Sequence, residues 1–168
     1  MRTFFAALVV AVGVSGCAGY RVGDVKPQYL KEVQTVAIPT FRNGTFLPRV
    51  EGLITNTVLK QFQQDGTFRI TSEDKADAVI RATVVAIGRR PVRSVRGNVL
   101  ATTEFNLGVG VRYTLVGRDG KVLAGPINVS GGTSFFVGSD VATDERQALP
   151  LAAEDLAVRM VSQLSEGW

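Results

Sequence analysis

The sequence predicts a two-layer α/β (α+β) sandwich, in which two helices pack on one face of a mixed or antiparallel sheet. Residues 102–116 alternate apolar and polar side chains with the two-residue period of a half-buried strand. Residues 48–64 and 143–165 instead repeat apolar side chains at the spacing of an amphipathic helix. An antiparallel strand pair with one polar face buries its other face under such helices.

The N-terminus is typical of a secretory signal. One positive charge is followed by an uncharged apolar run, residues 4–14, and then by small residues before Cys17. The run is shorter than the roughly 20 residues that a membrane span needs. We therefore expect residues 1–16 to be a signal peptide, residues 17–32 a tether, and residues 33–168 a single domain.

The end of this signal, Val14-Ser15-Gly16-Cys17, resembles the lipobox of bacterial lipoproteins. The resemblance implies that the thiol of Cys17 carries diacylglycerol and that the new amino terminus is acylated, for example with palmitate. Several acyl chains hold a protein stably on a membrane, whereas one chain binds only marginally. Ala18 follows the cysteine, and for lipoproteins the lack of Asp there implies export to the outer membrane. We expect a lipid anchor on the periplasmic side of that membrane.

The first half of the domain begins with a predicted strand and helix. Residues 32–39 form a short β-branched run that ends in proline, which predicts a buried strand. Asn43-Gly44 marks a turn within residues 40–47. The helix over 48–64 has Pro48 in its first turn and ends at Asp65-Gly66.

Four further strands are predicted next, at residues 68–71, 76–88, 102–116 and 121–136. Asp119-Gly120 predicts a tight hairpin between the last two strands. Pro126 then indicates that the returning strand lies at an edge or contains a bulge.

The last helix is predicted over residues 143–165. Thr143 is suited to the N-cap position, and the acidic residues Asp144 and Glu145 favour the positive end of a helix. Pro150 either kinks this helix or marks its true first turn.

Composition excludes most catalytic chemistry. The chain has no His and one Cys, so it lacks a His-assisted nucleophile, a disulfide and a Cys/His zinc site. Its carboxylates lie in a predicted turn and at a helix start, which accounts for them structurally. We expect no enzyme, no metal site and no cofactor beyond the acyl groups on Cys17. A net charge of +4 is a mild preference for anionic partners.

Five arginines and no acidic residue lie between residues 78 and 103: Arg81, Arg89, Arg90, Arg93 and Arg96. Residues 89–97 are predicted to be a loop or an irregular strand end, because they contain proline, serine and glycine. One interpretation is a site for a phosphorylated lipid, since clustered guanidinium groups bind phosphate well. The other is a solvated basic loop that keeps a sheet edge from pairing. Nucleic acid is disfavoured by the signal peptide.

Several segments resemble the LptE family, the outer-membrane lipoproteins that partner the lipopolysaccharide barrel LptD. They are residues 17–22 (CAGYRV), 36–46 (VAIPTFRNGTF), 76–78 (ADA) and 145–148 (ERQA). The resemblance implies two helices on a four-stranded sheet, a role as a plug that supports LptD assembly, and binding of lipopolysaccharide.

The resemblance also implies that the arginines before the 102–116 strand face the lipid A phosphates, with Arg96 and Arg93 the first candidates and Arg90 and Arg89 the next. Residues 137–142 carry no basic side chain, so a two-sided phosphate clamp is not expected. A regulatory lipoprotein of the periplasm remains the alternative. Activators of penicillin-binding proteins and curli-secretion lipoproteins share the Phe-x-Asn-x-Thr turn, and they act through protein contacts.

Overall fold

A computed structural model describes residues 26–95 and 98–166, with the backbone alone for residues 93–95 and 98–103. The predicted signal peptide, Cys17, most of the tether and Arg96 lie outside the described residues. After a short 3-10 turn, the elements follow in the order two strands, a helix, four strands and a second helix. Their bounds are Gln28–Leu30 for the turn, then β1 Thr35–Ala37, β2 Arg42–Asn43, α1 Val50–Asp65, β3 Arg69–Ile70, β4 Ala78–Val95, β5 Asn98–Gly117, β6 Val122–Phe136 and α2 Val141–Ser165.

One mixed sheet contains all six strands of the described residues. Its order is β3-β1-β4-β5-β6, with β2 beside Thr83 and Val84 of β4. The three short strands run parallel to their neighbours, and β4, β5 and β6 are antiparallel. The four strands implied by the family resemblance are therefore too few. The strand over 42–43 was missed because two residues carry no periodicity, and the Asn-Gly turn signal hid it.

Strand β5 confirms the predicted alternation. Its residues Leu107, Val109, Val111, Tyr113 and Leu115 are buried, and the residues between them are half-buried or exposed. Both helices bury their apolar stripes in the same core. The covered face of the sheet is thus the predicted one.

The first helix begins two residues later than expected. Arg49 takes a left-handed φ of 64° before Val50, which leaves Pro48 outside the helix. The predicted end is confirmed, because Gly66 has a φ of 75° and donates its N–H to the carbonyl of Phe62 over 3.1 Å.

The second helix begins two residues earlier than expected, with Asp140 as its N-cap in place of Thr143. The carboxylate of Asp140 accepts the N–H of Ala142 over 3.0 Å and the hydroxyl of Thr143 over 2.5 Å. Pro150 lies inside the helix, so it does not mark the first turn.

The hairpin of β4 and β5 is longer than predicted. β4 continues through Val95, so Arg89, Arg90 and Arg93 belong to a strand and not to a loop. Residues with turn propensities stay extended because β5 pairs with them, with register shifts between Pro91 and Val95 that absorb the irregular sequence. The expected irregular strand end is therefore present, but it is part of the sheet.

Candidate functional site

The candidate basic site lies along the far half of the β4–β5 hairpin, away from the short parallel strands. Arg89 and Arg90 are exposed side chains of β4. Arg93 is placed by its backbone, which pairs in register with Glu104. Arg96 lies outside the described residues. The sheet thus brings three of the four predicted arginines onto one stretch of strand.

Adjacent residues of a strand point to opposite faces, so Arg89 and Arg90 do not converge. Arg89 pairs in register with the buried Leu107 and lies on the helix-covered face. Its guanidinium forms an ion pair with Glu145 of α2 and lies 5.3 Å from the ring centre of Phe105. Arg89 therefore ties the hairpin to the start of α2, which limits its use for an external phosphate.

Arg90 lies on the open face of the sheet. It pairs in register with the exposed Asn106 and lines a depression of about 300 Å³. The floor of this depression is formed by small residues, among them Gly88, Gly108 and Ser130. Because the residues around Arg90 are small, its guanidinium and the amide of Asn106 are accessible to a phosphate group or to a flat protein surface.

Arg146 adds a cation that was not predicted as a site residue. It lies three residues after Thr143, donates to that hydroxyl over 3.0 Å, and is exposed at the same end of the sheet as Arg89. Sequence separation hid it, because α2 meets the hairpin only through tertiary contacts, among them the ion pair between Arg89 and Glu145. The loop before α2 contributes one acidic residue instead, Asp140. Hydrogen bonds from the hydroxyl of Thr143 and the N–H of Ala142 hold the pKa of its carboxyl below its usual range.

Two acidic residues of the predicted turn, Glu73 and Asp77, have structural partners. Asp77 accepts the hydroxyl and the backbone N–H of Thr35 over 2.7 and 2.9 Å, and these bonds lower the pKa of its carboxyl. Glu73 pairs with Arg81 at 2.5 Å. Among residues 26–95 and 98–166, no group of three or more His, Cys, Asp or Glu could hold a metal ion. Within the same ranges no helix is long and apolar enough to cross a membrane.

Comparison with known proteins places this fold among lipoproteins. The family model described as "LptE: Lipopolysaccharide-assembly" matches residues 33–164. No protein of curated function matches the sequence significantly. A minor lipoprotein from Acinetobacter baumannii is similar in structure, with a TM-score of 0.56, 16% identity, and coverage of 80% of this chain and 94% of that one.

Two further solved structures share the fold at low identity. Lipoprotein B from Nitrosomonas europaea has a TM-score of 0.51 and 13% identity, covering 88% of this chain and 86% of its own. The PelC dodecamer from Paraburkholderia phytofirmans has a TM-score of 0.50 and 18% identity, covering 83% of this chain and 92% of its own. These likenesses concern the fold alone.

Proposed function

The chain belongs to the LptE family of lipopolysaccharide-assembly proteins, and from this premise we propose that it plugs and supports the assembly of an LptD-like outer-membrane barrel. In this role it binds lipopolysaccharide while the lipid is inserted into the outer leaflet. The family consists of non-enzymatic lipoproteins and has no known cofactor.

The membrane attachment is part of the proposal. Cleavage before Cys17 and acylation of that residue would leave the tether of residues 18–32 between the lipid and the domain. The first described residue, Lys26, donates to the carbonyl of Val33 over 3.3 Å and covers the ring of Phe68 at 4.7 Å. The tether thus joins the domain beside the short parallel strands, at the other end of the sheet from the arginines.

The observation that carries lipid binding is the acid-poor, arginine-rich half of the β4–β5 hairpin. Arg90 is exposed on the open face, and Arg93 follows it on the same strand. Lipid A presents phosphate groups, which guanidinium forks bind by paired charge-assisted hydrogen bonds. We assign Arg90, Arg93 and Arg96 to this contact, and Arg89 to holding the hairpin against α2.

Charge reversal tests this assignment. Arg93→Glu with Arg96→Glu, and separately Arg90→Glu, should weaken binding of purified lipopolysaccharide by about tenfold or more, the loss of one or two charge-assisted bonds. The matched control is Arg42→Glu with Arg69→Glu, which reverses two exposed arginines on β2 and β3. Equal losses in both double variants, with the fold retained by circular dichroism, would show a net-charge effect and refute the site.

A second candidate is the regulatory or self-assembling lipoprotein of the periplasm. The structural likeness to PelC, solved as a dodecamer, is the observation that favours it. Such a protein would need no barrel and no phosphate contact. The mass of the purified complex separates the two: one copy with a large barrel supports the plug, and a ring of identical copies supports the alternative.

A further inference from the structure

The edge of β4 that faces away from β5 is covered only in part. β2 pairs with β4 at Thr83 and Val84, and the N–H of Gly44 donates to the carbonyl of Val84 over 2.9 Å. The chain then leaves the sheet. Within the described residues no strand lies beside β4 on this side beyond Val84.

The sheet register shows which backbone groups this edge offers. The carbonyl of Val84 points towards β2, away from β5, so Val84 and Val111 are a pair of opposite residues that form no hydrogen bond with each other. The N–H and C=O of Val111 therefore point towards β6. Leu107, four residues before Val111 on β5, has the same orientation. Its partner Arg89 therefore directs its N–H and C=O to the uncovered edge, and the same argument applies to Ile87. Pro91, two residues further, lacks an N–H and ends the run.

The outer edge of β6 is different, because it is protected. The N–H of Gly132 donates to the carboxylate of Asp155 over 2.9 Å, and Pro126 interrupts the start of the strand. Among the side chains that the structure describes, none caps the backbone of β4 from Val85 to Arg89 in this way. This edge is the more accessible template for an added strand.

Apolar surface surrounds this same edge. The side chain of Phe46 is fully exposed at 107% of its reference area, and Leu47 and Val85 are each 40% exposed. Two adjoining cavities of about 230 and 290 Å³ share Leu47, Ile87 and Glu145 in their walls. An extended segment on the edge would therefore find hydrogen-bond partners for its backbone and a cavity for an alternate side chain.

Charge limits the occupant. At this edge Glu145 is paired with Arg89, and the exposed side chains of Arg90 and Arg146 add two further positive charges, which favours acidic residues in the segment.

We propose that the β4 edge from Val85 to Arg89 binds an extended segment of a partner protein as an added strand. The segment alternates apolar and acidic residues: an apolar side chain enters the cavity beside Leu47, and the acidic side chains between the apolar ones lie on the open face of the sheet, beside Arg90. The partner's location in the outer membrane rests on the proposed function, but strand addition at this edge does not.

Photo-crosslinking of the full chain in its native membrane tests strand addition. An aliphatic diazirine amino acid is placed at Ile87 or at Arg89, and adducts are mapped by mass spectrometry. If the partner segment pairs with β4, the probes at Ile87 and Arg89 should crosslink to two sites that lie two residues apart on one segment of one partner protein. Adducts on a second copy of this chain, on lipopolysaccharide or on unrelated segments overturn the proposal, and so does a lack of intermolecular adducts from both positions.

A matched pair of variants tests the apolar contact. Phe46→Ser should lower the adduct yield from Ile87 about tenfold, because burying a phenylalanine side chain is worth at least this factor. Phe136→Ser removes a phenylalanine that is 69% exposed on β6 and should leave the yield unchanged. Equal yields in the two variants contradict the docking surface. If a barrel co-purifies but its crosslinked sites do not lie two residues apart on one segment, only this inference is refuted. If the two sites do lie two residues apart but belong to a protein that is not a barrel, only the proposed role as a barrel plug is refuted.

Discussion

Gly131 of β6 lies where the backbone of α2 crosses the sheet, and replacing it tests the helix–sheet packing. A Cβ atom at this position would lie 2.1 Å from the amide nitrogen of Leu156 and 2.7 Å from the carbonyl oxygen of Ala152. The first distance is about 1.3 Å short of ordinary contact, which begins at 3.4 Å. The atoms that block the Cβ belong to the helix backbone, so a change of rotamer cannot relieve the clash.

Gly131→Ala must therefore push α2 away from β6 along a buried contact that includes Ala152 and Leu156. Overpacking against side chains costs about 1–3 kcal/mol, and a clash with backbone should exceed this range, at about 3–5 kcal/mol. A domain of this size has about 5–15 kcal/mol of stability. The expected fall in the melting temperature is about 10 °C.

Urea and thermal unfolding followed by far-UV circular dichroism measure this loss. The matched control is Gly52→Ala in α1, where a Cβ would have nothing within 4 Å. Alanine should stabilise that helix by about 0.5–1 kcal/mol. A loss below about 1 kcal/mol for Gly131→Ala would refute the close crossing of α2 over β6.

Three further changes test individual contacts. Hydrogen bonding lowers the pKa of Asp77 in the folded state, so its stabilising effect is present above the unfolded pKa and is lost as the pH falls through the folded pKa. Asp77→Asn should therefore reduce the loss of unfolding free energy between pH 7 and acid pH, measured by urea unfolding at each pH. The same pH dependence in the variant and the wild type would contradict this. Asp155→Ala leaves the N–H of Gly132 without its carboxylate and should cost about 1 kcal/mol in urea unfolding, whereas an unchanged midpoint would show that water replaces the bond at no cost. Burial raises the pKa of Tyr113 above its usual range. In an ultraviolet titration, the wild-type chain should therefore show one phenol that ionises at higher pH than the other tyrosines, and Tyr113→Phe should lack this late step. If the variant instead lacks a phenol that ionises at ordinary tyrosine pH, the hydroxyl of Tyr113 is not buried.

The sequence predicted the elements whose own residues carry a repeated pattern. Both helices and the alternation of β5 extend over several periods, so their positions follow from hydrophobicity alone. Strand β3 lies within the predicted strand over 68–71, whereas β2 has only two residues and shows no period, so the sequence predicted a turn there. β2 forms because β4 provides its hydrogen-bond partners, which is information about tertiary structure.

The candidate site was predicted in composition but not in geometry. Residues 89–97 contain proline, serine and glycine, which favour a loop, yet pairing with β5 keeps them extended as far as Val95. The ion pair of Arg89 with Glu145 joins residues 56 positions apart, and no local pattern reports it. For the same reason the sequence did not reveal that Arg146 lies near the hairpin. The prediction of Arg93 and Arg96 as the first lipid-binding residues stays a prediction.

The central claim, that this LptE-family chain acts inside an outer-membrane barrel, is tested most directly by its partner. The full chain, expressed with its own signal and purified by affinity from detergent-solubilised outer membranes, should bring down one large β-barrel protein of the LptD kind in equal amount, and should carry acyl groups on Cys17. Recovery of a peptidoglycan synthase, or of the chain alone as a ring, would contradict the claim and establish the regulatory or self-assembling lipoprotein instead.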